Sequence, residues 1–379
     1  MKSKFIYSLF FVAVLFSACS TDLDVLGKYK ETLVVYGLLD QSQRRQYIKI
    51  NKAFLGAGNS FGYAQIKDST QFTHALLVKI KRMSDGAEFI LTPDNSIIKD
   101  PALNPNGPAT VSNFYAPDQT NVIYSFATPI IATPNLATAD ISDSTYVNTV
   151  LTTSSAYQLS IKNNETGTEV TGQTTLISDN GSFISPPMSG AQYPVFSFIV
   201  PNNDNALFSI VWTSGINARI YQTMIRFHYI DSTDTGNDTL HLDWVFPTQT
   251  TQGLVGGETM TEQFKGESFL QFIGSQLSGK PLPTYARRAL NTDIIIISGG
   301  DDLNTFIQVN APSTGIVQEK PKYTNINNGL GIFSAKYNRP PYSRRLSTAN
   351  GGTWDSLTCG RYTKNLKFED KFGNIIICP

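Results

Sequence analysis

The sequence predicts a mainly β chain of two β-sandwich-like domains, the N-terminal one immunoglobulin-like and the C-terminal one β-rich with one or two helices. Three observations carry this expectation. Charged residues make up only 16% of the chain, whereas Tyr 17 and Phe 23 join many Thr, Ser and Asn, a composition that favours strands and turns. Short runs alternate apolar with polar residues at a period of two, as in Gln46 to Lys52, where Ile48 and Ile50 stand against Tyr47, Lys49 and Asn51. A Pro- and Gly-rich stretch, Ser182 to Pro194, separates two groups of such runs and is the expected domain boundary.

In chain order, residues 1–18 have the build of a signal peptide: Lys2 and Lys4, then an apolar run from Phe5 to Phe16 interrupted only by Ser8. That run is too short for a membrane-spanning helix, which needs roughly 20 apolar residues. Ser17 and Ala18 before Cys19 match a bacterial lipobox, with Phe16 where Leu is usual. The expected chemistry is diacylglycerol on the Cys19 thiol, cleavage before it and acylation of the new amine. The competing reading is an ordinary secretory signal that contains a cysteine. At about 0.8 kcal/mol per buried CH₂, three acyl chains would make the membrane a permanent partner. Asp22 and Asp24 resemble the signal that sends Bacteroidota-type lipoproteins to the outer face of the outer membrane, but with different spacing, which leaves the leaflet open. Residues 19–31 read as a tether.

Residues 32–181 hold the expected immunoglobulin-like sandwich. Its strands are Thr32 to Leu39, Gln46 to Lys52, His74 to Arg82, Glu88 to Thr92, Asn121 to Ala127, Tyr157 to Lys162 and Glu169 to Ile177. Asp40 to Gln43, Asp85-Gly86 and Glu165-Thr166-Gly167 supply turns. Pro93 to Asp118, with four further prolines, reads as a long irregular connection. Seven short strands punctuated by turns make the sandwich the default.

Residues 190–379 form the second domain. Val195 to Val200, Leu207 to Trp212 and Ile220 to Ile230 are apolar strands, and Asp293 to Ser298 suits a strand buried on both faces. A helix is expected near 258–277, because Met260, Phe264, Phe269, Leu270, Ile273 and Leu277 approach a 3.6 period, although Gly266 and Gly274 interrupt it. Asp302 is placed to cap a short helix through Gln308.

The run Asp302 to Asn310, with Pro321-Lys322-Tyr323-Thr324-Asn325-Ile326-Asn327-Asn328-Gly329-Leu330-Gly331-Ile332-Phe333-Ser334, resembles the C-terminal signature of an uncharacterised lipoprotein family of Bacteroidota, a domain of unknown function. The strands Leu33 to Leu39 and Tyr157 to Ile161 are similar to that family too. The resemblance implies a two-part β-rich outer-membrane lipoprotein, in a group often associated with TonB-dependent receptors, and it brings no catalytic residues. Asn327, Asn328, Gly329 and Gly331 read as a sharp turn, since Asn and Gly tolerate positive φ, and the turn lets Ile332 and Phe333 enter a core. The alternative is a backbone that approaches a ligand closely.

Chemistry-bearing residues are sparse. Lys+Arg 30 equals Asp+Glu 30 and no block of like charge occurs, so nucleic acid is not an expected partner. With Cys19 assigned to lipid, Cys359 and Cys378 remain as a pair in an oxidising compartment. A bridge between them is worth about 3 kcal/mol in the chain-entropy picture, and two free thiols are the alternative. The three histidines show no His-Glu-x-x-His spacing, and no nucleophile elbow, phosphate loop or dinucleotide fingerprint is present. Catalytic residues, a resident metal and a cofactor are therefore expected to be none. Asp231 to Asp238 invites a calcium reading but departs from the EF-hand pattern and reads as a solvated hairpin loop.

Symmetric pairing about that loop sets Arg226 opposite Asp243 and His228 opposite His241 on one face. Such a face is a candidate for binding a divalent cation, an anion or a sugar; the competing reading is a polar outer surface with one weak ion pair. The leading expectation is a non-catalytic, lipid-anchored surface protein of the outer membrane, accessory to or capturing ligand for a surface complex. A secreted hydrolase using two distant carboxylates and a structural or adhesive protein are the alternatives.

Overall fold

The computed structural model describes residues 30–54, 60–64, 66–97, 122–127, 151, 155–178, 183–185, 195–200, 206–312 and 322–378. Cys19, the signal peptide and the tether up to residue 29 lie outside these, as does most of the expected boundary 182–194.

Two helices of one turn or so, Ser60–Ala64 and Lys67–Thr70, interrupt a first series of strands: β1 Leu33–Asp40, β2 Arg45–Lys52, β3 Leu77–Arg82, β4 Glu88–Asp94, β5 Ile123–Ala127, β6 Ala156–Lys162 and β7 Glu169–Thr175. The second series is β8 Phe183–Ser185, β9 Val195–Phe196, β10 Leu207–Thr213, β11 Ile220–Thr233, β12 Gly236–Val245, β13 Gln249–Thr250, β14 Thr259–Lys265 and β15 Ala286–Gly299. It ends with β16 Ile326–Asn327, β17 Leu330–Asn338 and β18 Tyr342–Leu346; helices at Gly266–Leu277, Asp301–Asn310 and Thr353–Cys359 punctuate it.

The protein is mainly β, as the composition predicts, with one large mixed sheet and a second small one. The large sheet runs β12-β11-β15-β17-β1-β2-β5-β4-β3-β6-β7-β16, and the small one β14-β10-β8. Alternation decides which side chains enter the core: Leu33, Val35 and Leu39 from β1 and Ile48 and Ile50 from β2 are buried while Tyr36 and Tyr47 are exposed. β4 is the corner. Its residues Glu88 to Leu91 pair with β3 and Thr92 to Asp94 with β5, so Pro93 continues a strand whose expected end is Thr92. The two limbs that meet at β4 face each other, and Val35, Ile48, Val78, Ile80, Leu159 and Ile161 share one core.

β16 and β17 close the open side of this folded sheet. Ile326 and Asn327 pair with Gly172 and Thr171 on β7, and after the turn Leu330 to Lys336 pair in parallel with Val34 to Asp40 on β1. These pairings join residues on either side of the boundary expected at 182–194. The turn that makes this possible has Asn328 at φ 58° and Gly331 at φ 108°, the positive values the Asn-Gly cluster predicts. Ile332 and Phe333 are buried. Phe333 lies over Gly37 of β1 and Gly172 of β7, where a Cβ would stand 3.1 Å from its ring or Cβ.

The expected helix at 258–277 is half strand. Thr259 to Lys265 is β14, paired along its length with β10, and the helix begins at Gly266. The physical reason lies in two overlapping periods: Met260 and Phe264 are also consistent with strand alternation, and both are buried against β10. Gly266 fixes the change of direction, since a Cβ there would sit 1.4 Å from the Phe198 carbonyl oxygen. Beyond it Phe269, Leu270, Ile273 and Leu277 are buried, with Phe269 stacked on Phe198 at 3.8 Å.

Two fixed points hold the far end. Cys359 and Cys378 form a disulfide with Cα atoms 5.2 Å apart, as the cysteine count predicts. Arg287 is buried and forks onto Asp231 at 2.6 and 2.7 Å, with Tyr229 and Phe368 rings 5.2 and 5.7 Å from its guanidinium carbon. The calcium reading of 231–238 fails here: Asp231 to Thr233 and Gly236 to Asp238 are strand, and Asp231 is occupied by Arg287.

Candidate functional site

β11, β12, β15 and β18 present one polar sheet face. The β11–β12 register is the one that symmetric pairing predicts, with Arg226 opposite Asp243, Phe227 opposite Leu242, His228 opposite His241 and Tyr229 opposite Leu240. Phe227, Tyr229 and Leu242 go to the core, which turns Arg226, His228, His241 and Asp243 to the other side.

On that face the charges are already paired. Arg226 grips Asp243 with both prongs of its guanidinium, Nε to Oδ1 at 2.7 Å and Nη2 to Oδ2 at 2.8 Å. This hydrogen bonding holds Asp243 below the usual carboxylate range despite partial burial, and raises Arg226. The His228 ring centroid is 6.1 Å from that of His241, yet its Nε2 turns to Asp293 on β15, 2.7 Å from Oδ2. The ladder between β11 and β15 shifts register between Phe227 and Tyr229, a bulge that re-aims the residue inside it.

Asp293 is the hub that sequence reasoning missed. Its Oδ1 accepts from Asn291 at 2.9 Å, and Asn291 also donates to Ser343 Oγ at 2.6 Å. Burial pushes its carboxyl up, but hydrogen bonds from His228, Ser343 and Asn291 outweigh that, and it lies below its ordinary value. The local signal is an acid opening an apolar run. What brings it beside Arg226 and His228 is pairing between strands more than sixty positions apart, which no local pattern encodes.

The arrangement can recognise a polar ligand through partly exposed hydrogen-bonding groups on a rigid sheet. As a cation site it is poor, because the Arg226 guanidinium occupies the Asp243 carboxylate. Among the described residues no three His, Cys, Asp or Glu side chains come together to hold a metal ion. His74 is elsewhere, with Nε2 2.9 Å from Asn163 Oδ1 and Nδ1 3.1 Å from Glu165. Among the described residues no helix is long and apolar enough to cross a membrane.

The signature segment packs inward. Gly331 approaches Val35 so closely that a Cβ would lie 1.9 Å from its carbonyl oxygen, so the close contact at this glycine is to β1 of the same chain. Asp302 does not cap its helix: Gly300 is the N-cap, with no side-chain bond, and the Asp302 carboxylate instead accepts the Tyr323 hydroxyl. Burial, and after it that partner, push the Tyr323 hydroxyl far up.

No family model and no curated relative matches the chain. Among solved structures it is similar to a DUF4785 family protein from Legionella pneumophila, at 9% identity and a TM-score of 0.20, covering 72% of this chain and 54% of that one. It thus spans about half the length of that neighbour. A cytokine receptor complex is matched at 6% identity and a TM-score of 0.19, over 83% of this chain and 98% of that one.

Proposed function

We propose that this chain is a non-catalytic surface lipoprotein of the outer membrane, anchored through acylated Cys19, that captures a polar ligand or partner for a surface complex of the kind built on a TonB-dependent receptor. The observation that carries the binding half of this reading is the paired state of the polar face. Asp243 and Asp293 both lie below the ordinary carboxylate range and are each engaged by a neighbour. Such groups stay ionised and fixed, which suits recognition, whereas general acid–base work needs a group poised near the working pH. The anchoring half is supported by the apolar run ending in Ser17-Ala18-Cys19 and by the resemblance of the 302–334 segment to a Bacteroidota lipoprotein family. Tethering gives a capture protein a high effective concentration beside a transporter.

The experiment has two arms. Metabolic labelling with a fatty-acid analogue should mark the wild type and not Cys19→Ser; undiminished label in the variant removes the anchor. The chain from Ser20 onward is then presented with glycan, peptide and ester panels while binding and turnover are both read. Binding weakened by Asp293→Asn without any turnover supports capture, and turnover abolished by changing one acidic residue in a folded variant overturns it.

A further inference from the structure

The described fold starts at a fixed point. Lys30 Nζ donates to the side-chain oxygen of Asn328 at 3.2 Å, and Asn328 is itself tied to β7 by donating to the Glu169 carbonyl at 2.9 Å. The Glu31 carboxylate accepts from Asn163 Nδ2 at 3.1 Å and from the Thr166 hydroxyl at 3.0 Å, and Asn163 is fully buried. The Thr32 carbonyl accepts the Ala53 N–H at 2.9 Å. The chain just after β2, the β6–β7 turn and the β16–β17 turn thus hold residues 30–32 at one end of the large sheet.

The polar face lies toward the other end. β1 runs away from Lys30, and β17 runs parallel to it, with Val34 beside Leu330 and Asp40 beside Lys336. Lys336 pairs with Gly299 of β15, and Gly299 with Ile220 of β11. β11 therefore begins at the level where β1 ends, and two antiparallel steps make it continue in the same direction. The level rises six residues from Val34 to Asp40 and eight more from Ile220 to His228. At about 3.3 Å per residue, with sheet twist taking back part of the rise, His228 stands roughly 40 Å beyond the Lys30 end. Asp293, Ser343 and His241 lie at or near its level through the β15, β18 and β12 ladders.

We infer that the Lys30 end, built on Asn163, Thr166 and Asn328, faces the bilayer, and that the polar face is held on the far side of the body, open to ligands and partners in solution and out of reach of molecules dissolved in the bilayer. This rests on the anchoring half of the proposed function. Residues 19–29 separate the acylated cysteine from Lys30 and, whatever their course, span at most about 38 Å. A body tied by one end beside a surface it cannot enter has more orientations with its far end outward than with that end against the surface. With Lys+Arg 30 equal to Asp+Glu 30 and no block of like charge, the sequence also lacks the polybasic segment that draws a protein flank onto an anionic surface.

Energy transfer tests the orientation. The lipid-bearing chain, purified from membranes, is reconstituted into phosphatidylcholine vesicles that carry a small fraction of headgroup-labelled acceptor. A donor fluorophore is built in through a non-natural residue at Asn164 in the β6–β7 turn or at Thr239 on β12, both exposed. Transfer from Asn164 should be at least twofold more efficient than from Thr239. Lengthening the tether by about 20 Gly and Ser residues should lower the Asn164 value, since reach grows with linker length. Equal transfer from the two positions, or more from Thr239, overturns the inference and leaves the anchor in place, as does an Asn164 signal that the longer tether does not change. Vesicle association no greater than that of Cys19→Ser removes the anchor itself, and the inference with it.

Discussion

Asn325 holds Phe333 by both of its backbone groups: the side-chain amide donates to the Phe333 carbonyl at 2.7 Å and its oxygen accepts the Phe333 N–H at 2.9 Å. A side chain here does what a neighbouring strand does elsewhere. It satisfies the backbone at the point where the chain passes from β7 to β1, and so fixes Phe333 over Gly37 and Gly172 between the two limbs of the sheet.

Replacing Asn325 with Ala should therefore cost roughly 2 kcal/mol, at about 1 kcal/mol for each hydrogen bond removed. Urea unfolding at neutral pH measures it. Asn325→Asp should recover only part of the loss, because a carboxylate accepts from the Phe333 N–H but has no proton for its carbonyl.

Gly331 and Gly236 both have positive φ, 108° and 134°, but only Gly331 is crowded by Val35, while nothing stands within 4 Å of a Cβ at Gly236. Gly331→Ala should lose at least about 3 kcal/mol or fail to fold. Gly236→Ala should lose roughly 1 to 2 kcal/mol, the conformational cost alone. Equal losses in thermal unfolding would show that the contact with β1 is not tight.

Asp243 and Asp293 have folded-state pKa values below their ordinary ones. A carboxyl lowered in this way contributes stability at pH values above its unfolded pKa, about 3.9, and loses it as pH falls through the folded value. Stability should thus be insensitive to these two groups between pH 5 and pH 7, on the order of the plateau expected for ionised carboxylates, and should drop more steeply below about pH 4 in the wild type than in an Asp243→Asn, Asp293→Asn double variant. Denaturant midpoints measured against pH test the difference in slope.

Arg287→Ala leaves Asp231 in a mostly buried position without its cation and should cost about 3 to 5 kcal/mol. Replacing both, Arg287→Met with Asp231→Leu, should cost much less, since two apolar side chains leave no uncompensated charge. Denaturation of Arg287→Met, Asp231→Leu and the double variant completes the cycle.

A protease site inserted between Pro187 and Met188 cuts the chain at the expected domain boundary. Because β17 lies between β1 and β15, and β16 pairs with β7, the two fragments should co-elute under native conditions and separate only in denaturant. Separation without denaturant would show that the pairing across the boundary contributes little.

Local pattern alone determined the first series of strands, β1 to β7, and several contacts elsewhere. Alternation sets which residues of β1, β2, β6 and β11 are buried, the short polar turn sets the Arg226–Asp243 and His228–His241 register, the two remaining cysteines set the bridge, and the Asn-Gly cluster sets the turn that buries Phe333. These rest on interactions between residues close in sequence or on simple counting. Tertiary structure decided what depends on contacts between distant segments. Met260 and Phe264 fit a helix and a strand equally well until β10 supplies the pairing that makes β14. Asp302 has the position of a helix cap until Tyr323 offers a hydroxyl. Asp293 joins the polar face, and Arg287 removes Asp231 from a loop, only because β15 lies beside β11. No local period encodes which strand a strand pairs with, since the hydrogen-bonding groups that make the ladder are the same on every residue.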